Sequence, residues 1–192
     1  MRTNTAQHQV LQLDIQGTPQ AWISLEQAAV HTATGSVAWT EGAGPLATLR
    51  GGHNVAMGRQ SLIEVYPIVA LRGASRINLF DVAPGVTRSK LFRRDRCTCA
   101  YCGQRLPERA LQAEHIVPAS RGGAWSWMNL VSACASCNGR KANRTPEEAR
   151  MPLLYLPYVP SRFEAFLLEG RAIRADVHEW LAARLPKGSR LS

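Results

Sequence analysis

Ala113-Glu114-His115-Ile116-Val117-Pro118-Ala119-Ser120-Arg121-Gly122-Gly123 lies between two cysteine pairs, Cys99-Ala100-Tyr101-Cys102 and Cys134-Ala135-Ser136-Cys137. The pairs are separated by 31 residues, 103–133. Two residues between cysteines let one turn present both sulfurs to one ion, and Zn2+ favours four tetrahedral thiolate ligands. Gly103 permits the tight backbone that such a knuckle needs. The second pair sits at i and i+3, which a helical turn brings together. The spacing therefore predicts a structural zinc site made of Cys99, Cys102, Cys134 and Cys137. Cys97 alternates with Cys99, so it is expected to point away from the site as a small apolar filler.

Charge gathers around the same stretch. The chain has 192 residues and a formal charge of +9. Residues 85–150 hold twelve Lys/Arg against five Asp/Glu, while residues 1–84 hold five of each and residues 151–192 hold six against four. A net +7 confined to one third of the chain is the footprint of a polyanion-binding module. The odd cysteine count fits poorly with a disulfide framework. No apolar run approaches the roughly 20 residues of a membrane span, and the polar start, Met1 to His8, leads into no apolar signal core. These features predict a soluble, cytoplasmic protein.

On either side of the module the periodicities are weaker. Val10–Leu13, Ser36–Trp39 and Ser61–Tyr66 read as strands, the last continuing past Pro67 into Ile68–Leu71 as an edge strand. Ser24 and Gln27 form a capping box for a helix over 25–32, and the Gly-rich residues 41–54 read as a loop. His8, His31 and His53 are isolated and carry no motif. Ser89–Asp95 reads as a short basic helix, and Thr145-Pro146-Glu147-Glu148 as a helix start. Residues 151–160, with three prolines, read as an extended connector. Ser161-Arg162-Phe163-Glu164 can cap a helix carrying Phe163, Phe166 and Leu167 on one face. A last helix over 176–185 stripes Val177, Trp180, Leu181 and Leu185, leaving His178 off the stripe. The expected class is α+β: an N-terminal α+β region over 1–84, a metal-stapled module over 85–150, and a Pro-rich connector with C-terminal helices over 151–192.

Inside the module, the cysteines bracket Glu114-His115, Ser120-Arg121-Gly122-Gly123, Asn129-Leu130-Val131 and Cys137-Asn138-Gly139-Arg140-Lys141 in that order. This combination resembles the HNH nuclease family in its four-cysteine, zinc-stapled subgroup. Phe92-Arg93-Arg94-Asp95-Arg96 before it, and Asn143-Arg144-Thr145-Pro146-Glu147-Glu148 after it, resemble that subgroup too. The resemblance covers residues 88–150 and implies a ββα-metal finger. Strand one would carry Ala113-Glu114-His115, the loop Gly122 and Gly123, and strand two about 129–132. The helix would start near Cys134.

The resemblance implies a metal-dependent endonuclease that nicks or cleaves DNA. His115 would be the general base that activates water. Glu114 and Asn138 would hold a catalytic divalent ion, and Asn129 would brace the loop and orient His115. The third motif position is Asn138 where His is also found, and position 114 is Glu where Asp is common. An oxygen shell of Glu and Asn favours Mg2+ or Mn2+. Arg121, Arg140, Lys141 and Arg144 are the expected contacts to backbone phosphates. Trp125 and Trp127 are expected to close a mini-core over the loop rather than to stack on bases. The alternatives are a non-catalytic zinc-containing DNA-binding module, which would need only the cysteines and the basic face, and an RNA-directed nuclease. The oligomeric state stays open, a homodimer included.

Overall fold

The computed structural model describes residues 9–54, 58–73, 83–169 and 172–191. His8 and the polar residues before it lie outside them. In chain order the elements are β1 (Val10–Asp14), β2 (Pro19–Ile23), α1 (Leu25–Ala33), β3 (Val37–Glu41), β4 (Ala47–Asn54), β5 (Arg59–Val65), β6 (Ile68–Leu71), α2 (Arg88–Arg94), β7 (Leu111–His115), β8 (Leu130–Cys134), α3 (Ala135–Lys141), α4 (Arg162–Glu169) and α5 (Ala175–Ala182). The mixture is α+β, as the sequence predicts. No described helix is long and apolar enough to cross a membrane. The chain forms two compact units, one of residues 1–82 and 170–183, the other of 83–169 and 184–192. The C-terminal segment expected over 151–192 is thus shared between the units.

In the first unit, a four-stranded sheet has the order β2-β1-β6-β3. β1 pairs antiparallel with β2 and parallel with β6, and β3 pairs antiparallel with β6. α1 opens on the expected capping box: Ser24 Oγ accepts from the Gln27 amide at 3.2 Å, and Gln27 Oε1 accepts from the Ser24 amide at 2.9 Å. Ala28 and Ala29 of α1 pack with Val10, Ile23, Val65 and Val69. Three expectations are corrected here. The strand expected to run on past Pro67 is two strands in different sheets, and β6 is interior, between β1 and β3. Pro67 has no amide to donate, but its carbonyl accepts from Leu11 at 2.9 Å and starts the new pairing. The Gly-rich stretch read as a loop contains β4, which pairs with β5 through an irregularity between Arg50 and His53. A Cβ at Gly51 would lie 2.4 Å from Ser61 Oγ, so glycine there lets the strands approach. β2 went unread because it opens on Pro19, which an edge strand tolerates.

The second unit is built on the β7–β8 hairpin, with register Leu111↔Cys134 through His115↔Leu130. α2 packs against it through Leu91 and Phe92, which join Leu111, Trp127, Leu130 and Leu168. Arg94 and Asp95 lie beneath them, fully buried. The Arg94 guanidinium donates to Asp95 Oδ1 and to the carbonyls of Trp127 and Leu130, each at 2.8 Å, and to that of Tyr158 at 3.0 Å. Asp95 Oδ2 accepts from the Ser132 amide at 2.8 Å and its hydroxyl at 2.9 Å. A buried charge is tolerated when its hydrogen-bonding capacity is met in this way.

The helix expected from Thr145 is a single turn instead. Its cap bonds form, from the Thr145 amide to Glu148 Oε2 and from the Glu148 amide to Thr145 Oγ1. Arg150 then takes a positive φ of 51°, and Pro152 follows. α4 does start at Ser161, whose amide donates to Glu164 Oε2 at 2.7 Å. Its buried residues are Glu164, Ala165, Phe166 and Leu168; Phe163 and Leu167 are only half-buried, so the packed face is turned from the one expected. In α5, Val177, Trp180 and Leu181 are buried as expected and His178 is exposed, but the helix ends before Leu185.

Candidate active site and metal centre

β7 presents its two neighbours, Glu114 and His115, to opposite sides, as strand alternation requires. On one side, Gln112 and Glu114 face α3: Gln112 Oε1 accepts from Asn138 Nδ2 at 2.6 Å, and Glu114 Oε1 accepts from Lys141 Nζ at 2.6 Å. On the other, Leu111 and Ala113 join the cluster around Trp127, and the half-buried His115 imidazole meets the Trp125 indole edge-on, with centroids 5.6 Å apart at 62°.

The loop after His115 is tied by one side chain. Asn129 Oδ1 accepts from the Val117 amide at 2.9 Å, and its Nδ2 donates to the carbonyls of Val117 at 3.1 Å and Ala124 at 3.0 Å. Three bonds from one amide make the loop a closed ring. Gly123 sits where a Cβ would fall 1.7 Å from the Val117 carbonyl oxygen, so no other residue fits. Gly122 adopts a φ of 83°, in the left-handed region.

Lys141 corrects one expectation. It was expected to meet backbone phosphates, but its side chain is wholly buried and its ammonium also donates to the His115 carbonyl at 2.7 Å. One cation thereby grips the side chain of Glu114 and the backbone of His115. Arg144 donates to the carbonyl of Lys141 at 3.2 Å and to that of Arg140, satisfying the C-terminal carbonyls of α3. Arg121 Nη1 donates to both carboxylate oxygens of Glu148, at 2.7 and 2.8 Å, and Arg140 is exposed.

The four cysteines converge. Cys99, Cys102, Cys134 and Cys137 place their sulfurs within 4.8 Å of one another, with Cys102 and Cys134 4.0 Å apart. Tetrahedral Zn–S bonds of about 2.3 Å require sulfurs roughly 3.8 Å apart, so the cluster fits a metal with little adjustment. Gly103, at φ 74°, turns the first knuckle, with its amide donating to the Cys99 carbonyl at 3.0 Å. Cys134 caps α3, which places Cys137 one turn later. Burial of Cys99 opposes its ionisation, but amides of Cys134, Cys102 and Tyr101 outweigh it and bring the thiol down to about 7. Burial and the neighbouring cysteines push Cys137 up to about 12. Cys97 stands outside this group and packs beside the Leu91 cluster, as expected.

Several residues of the site escaped sequence reasoning. Arg94 and Asp95 read only as part of a basic helix and Lys141 as a phosphate contact, because, apart from the bond between the neighbours Arg94 and Asp95, their side-chain partners lie 26 to 64 positions away. Gln112 carried no signal beyond its alternation with Glu114. Trp127 is core, as expected, but Trp125 is 47% exposed.

Residues 99–154 match the family model described as HNH endonuclease. A segment of 57 residues is 39% identical to a CRISPR-associated endonuclease Cas9 of Corynebacterium diphtheriae, covering 29% of this chain and 5% of that protein. A segment of 70 residues is 34% identical to a CRISPR-associated endonuclease Cas9 of Campylobacter jejuni, covering 33% of this chain and 7% of that protein. The chain thus matches only a small part of the length of these relatives. The ββα hairpin and the four converged cysteines lie within the stretch, residues 99–154, that is similar to the HNH endonuclease family.

Proposed function

We propose that this protein is a metal-dependent endonuclease that hydrolyses phosphodiester bonds in DNA, with Zn2+ held by the four cysteines as a structural staple. The observation that carries the reading is the paired placement of Glu114 and His115. Lys141 fixes both, and the loop that follows is pinned by Asn129. His115, at the open end of β7, takes the proton of the attacking water. The water oxygen bonds to phosphorus, the P–O3′ bond breaks, and the 3′ oxygen leaves protonated by solvent, with the 5′-phosphate on the other fragment.

Glu114 and Asn138 are the residues that would hold the catalytic ion. Their chemistry fits a hard cation. Lys141 engages Glu114 Oε1, leaving Oε2, and Asn138 donates through Nδ2, leaving Oδ1. Bound Mg2+ or Mn2+ would supply electrophilic stabilisation of the phosphate and the leaving oxygen. Asn129 keeps the loop closed so that His115 stays oriented, and Arg140, which is exposed, would meet phosphate.

The test is cleavage of end-labelled DNA and RNA oligonucleotides by the full chain in Mg2+, Mn2+ or EDTA, with end-group analysis. Metal-dependent DNA products bearing 5′-phosphate support the reading; cleavage of RNA alone would reassign the substrate. The Glu114–Lys141 pair also favours a second reading, a zinc-containing DNA-binding module without catalysis, in which Glu114 is purely structural. DNA binding without cleavage in any of these ions would select it.

A further inference from the structure

We propose that exposed Trp125, on a loop that also carries exposed Met128 and Val117, is a stacking platform for a nucleobase next to the candidate cleavage site, so that the strand engaged there is unpaired. The proposal rests on the nucleic-acid reading above. Trp125 and Trp127 occupy one loop and have opposite fates. Trp127 is 3% exposed and its indole donates to the Pro84 carbonyl at 2.5 Å. Trp125 also donates its indole N–H, to the Val86 carbonyl at 3.3 Å, yet leaves nearly half its surface in water. Its indole N–H is anchored while about half of the residue stays open to solvent, an arrangement that suits an aromatic recognition residue.

The surroundings identify the occupant. Met128 and Val117 are 57% and 41% exposed, so the loop offers an apolar rim. The rim is rigid, because Asn129 bonds both polar groups of Val117 and the carbonyl of Ala124, which precedes Trp125. It adjoins His115, whose ring centroid lies 5.6 Å from that of Trp125 at 62°. It belongs to a segment of net charge +7, which selects a partner that joins flat apolar groups to negative charge. A nucleotide strand is such a partner. A closed base pair hides its π faces in the stack, whereas an unpaired base can lie on an indole, with little regard to sequence.

The test measures fluorescence anisotropy of a labelled single strand and of the matching duplex with the full chain. Divalent ions are left out, so that binding is read without cleavage. Base–aromatic stacking of about 1–3 kcal/mol corresponds to a roughly 5- to 150-fold loss. Trp125→Ala should therefore weaken single-strand binding by that factor while leaving duplex binding within about twofold. Trp125→Phe should recover most of the loss. An equal loss on both nucleic acids, or none on either, overturns the platform, and the second result would turn the rim toward a protein surface. The readout is separable from catalysis. Trp125-dependent strand preference in a protein that never cleaves would keep the platform and sink the nuclease reading. Cleavage with no Trp125 effect on binding would do the reverse.

Discussion

Lys141→Met should cost this protein a large share of the stability of its second unit. The ammonium it removes is wholly buried, and the Glu114 side chain left behind is only 11% exposed. Water therefore cannot replace the lost partner at Glu114 Oε1, and the His115 carbonyl loses a donor as well. Breaking a buried pair by deleting one member costs about 3–5 kcal/mol. For a unit of this size each kcal/mol shifts the midpoint by roughly 4–8 °C, so a fall on the order of 12–40 °C is expected. Replacing both members, as in Lys141→Met with Glu114→Leu, removes the stranded charge and should return stability to within about 1–2 kcal/mol of the parent. The assay is calorimetry of the full chain, with the second unit's transition identified by its response to a zinc chelator. A single variant whose stability lies within about 1 kcal/mol of the parent, or a double variant whose loss is the sum of the singles, would show that Lys141 does not hold a buried Glu114 carboxylate.

Other perturbations probe the remaining parts. Cys102→Ser should abolish stoichiometric zinc and unfold the second unit, because a structural metal contributes folding free energy directly; a folded, active variant without zinc would remove the staple. Asn129→Ala deletes three hydrogen bonds, each worth about 1 kcal/mol net, so urea unfolding should show a loss of roughly 3 kcal/mol together with lost cleavage. Gly123→Ala drives a methyl into the Val117 carbonyl and should cost at least the roughly 1–3 kcal/mol of an overpacked site; unchanged stability would mean that the loop has another conformation. Asp95→Ala strands the Arg94 guanidinium and should destabilise the second unit by about 3–5 kcal/mol, read in the same calorimetric scan.

What the sequence reveals of this site divides by distance along the chain. The cysteines are legible because each pair acts through a short spacing, a knuckle and a helical turn, whereas Glu114, His115 and Asn138 are picked out by the family resemblance. The Asn129 brace spans only 12 positions, and Gly123 shares its loop. Arg94, Asp95 and Lys141 follow a different rule. Each is charged and sits in a basic segment, which makes a surface position the natural expectation. Only the folded hairpin brings Ser132, Leu130 and Glu114 to them. In the first unit the misread strands share a cause: β2 opens on a proline, β4 contains a Gly-Gly step, and Pro67 divides β5 from β6. Proline and glycine punctuate local pattern, yet an edge, a close strand approach and a change of sheet all accommodate them. Trp125 reads as mini-core with Trp127 because periodicity cannot distinguish an aromatic packed on a loop from one left open above it.

The decisive measurement is supercoiled plasmid incubated with the full chain in Mg2+, Mn2+ or EDTA, beside His115→Ala. Nicked or linear product is expected with metal, none with EDTA, and at least a 100-fold slower rate for His115→Ala, at the lower end of about 10²–10⁴ for a lost general base, with folding and DNA binding retained. Cleavage that persists in His115→Ala at the parent's rate would contradict this expectation, as would a variant that loses cleavage only because it unfolds.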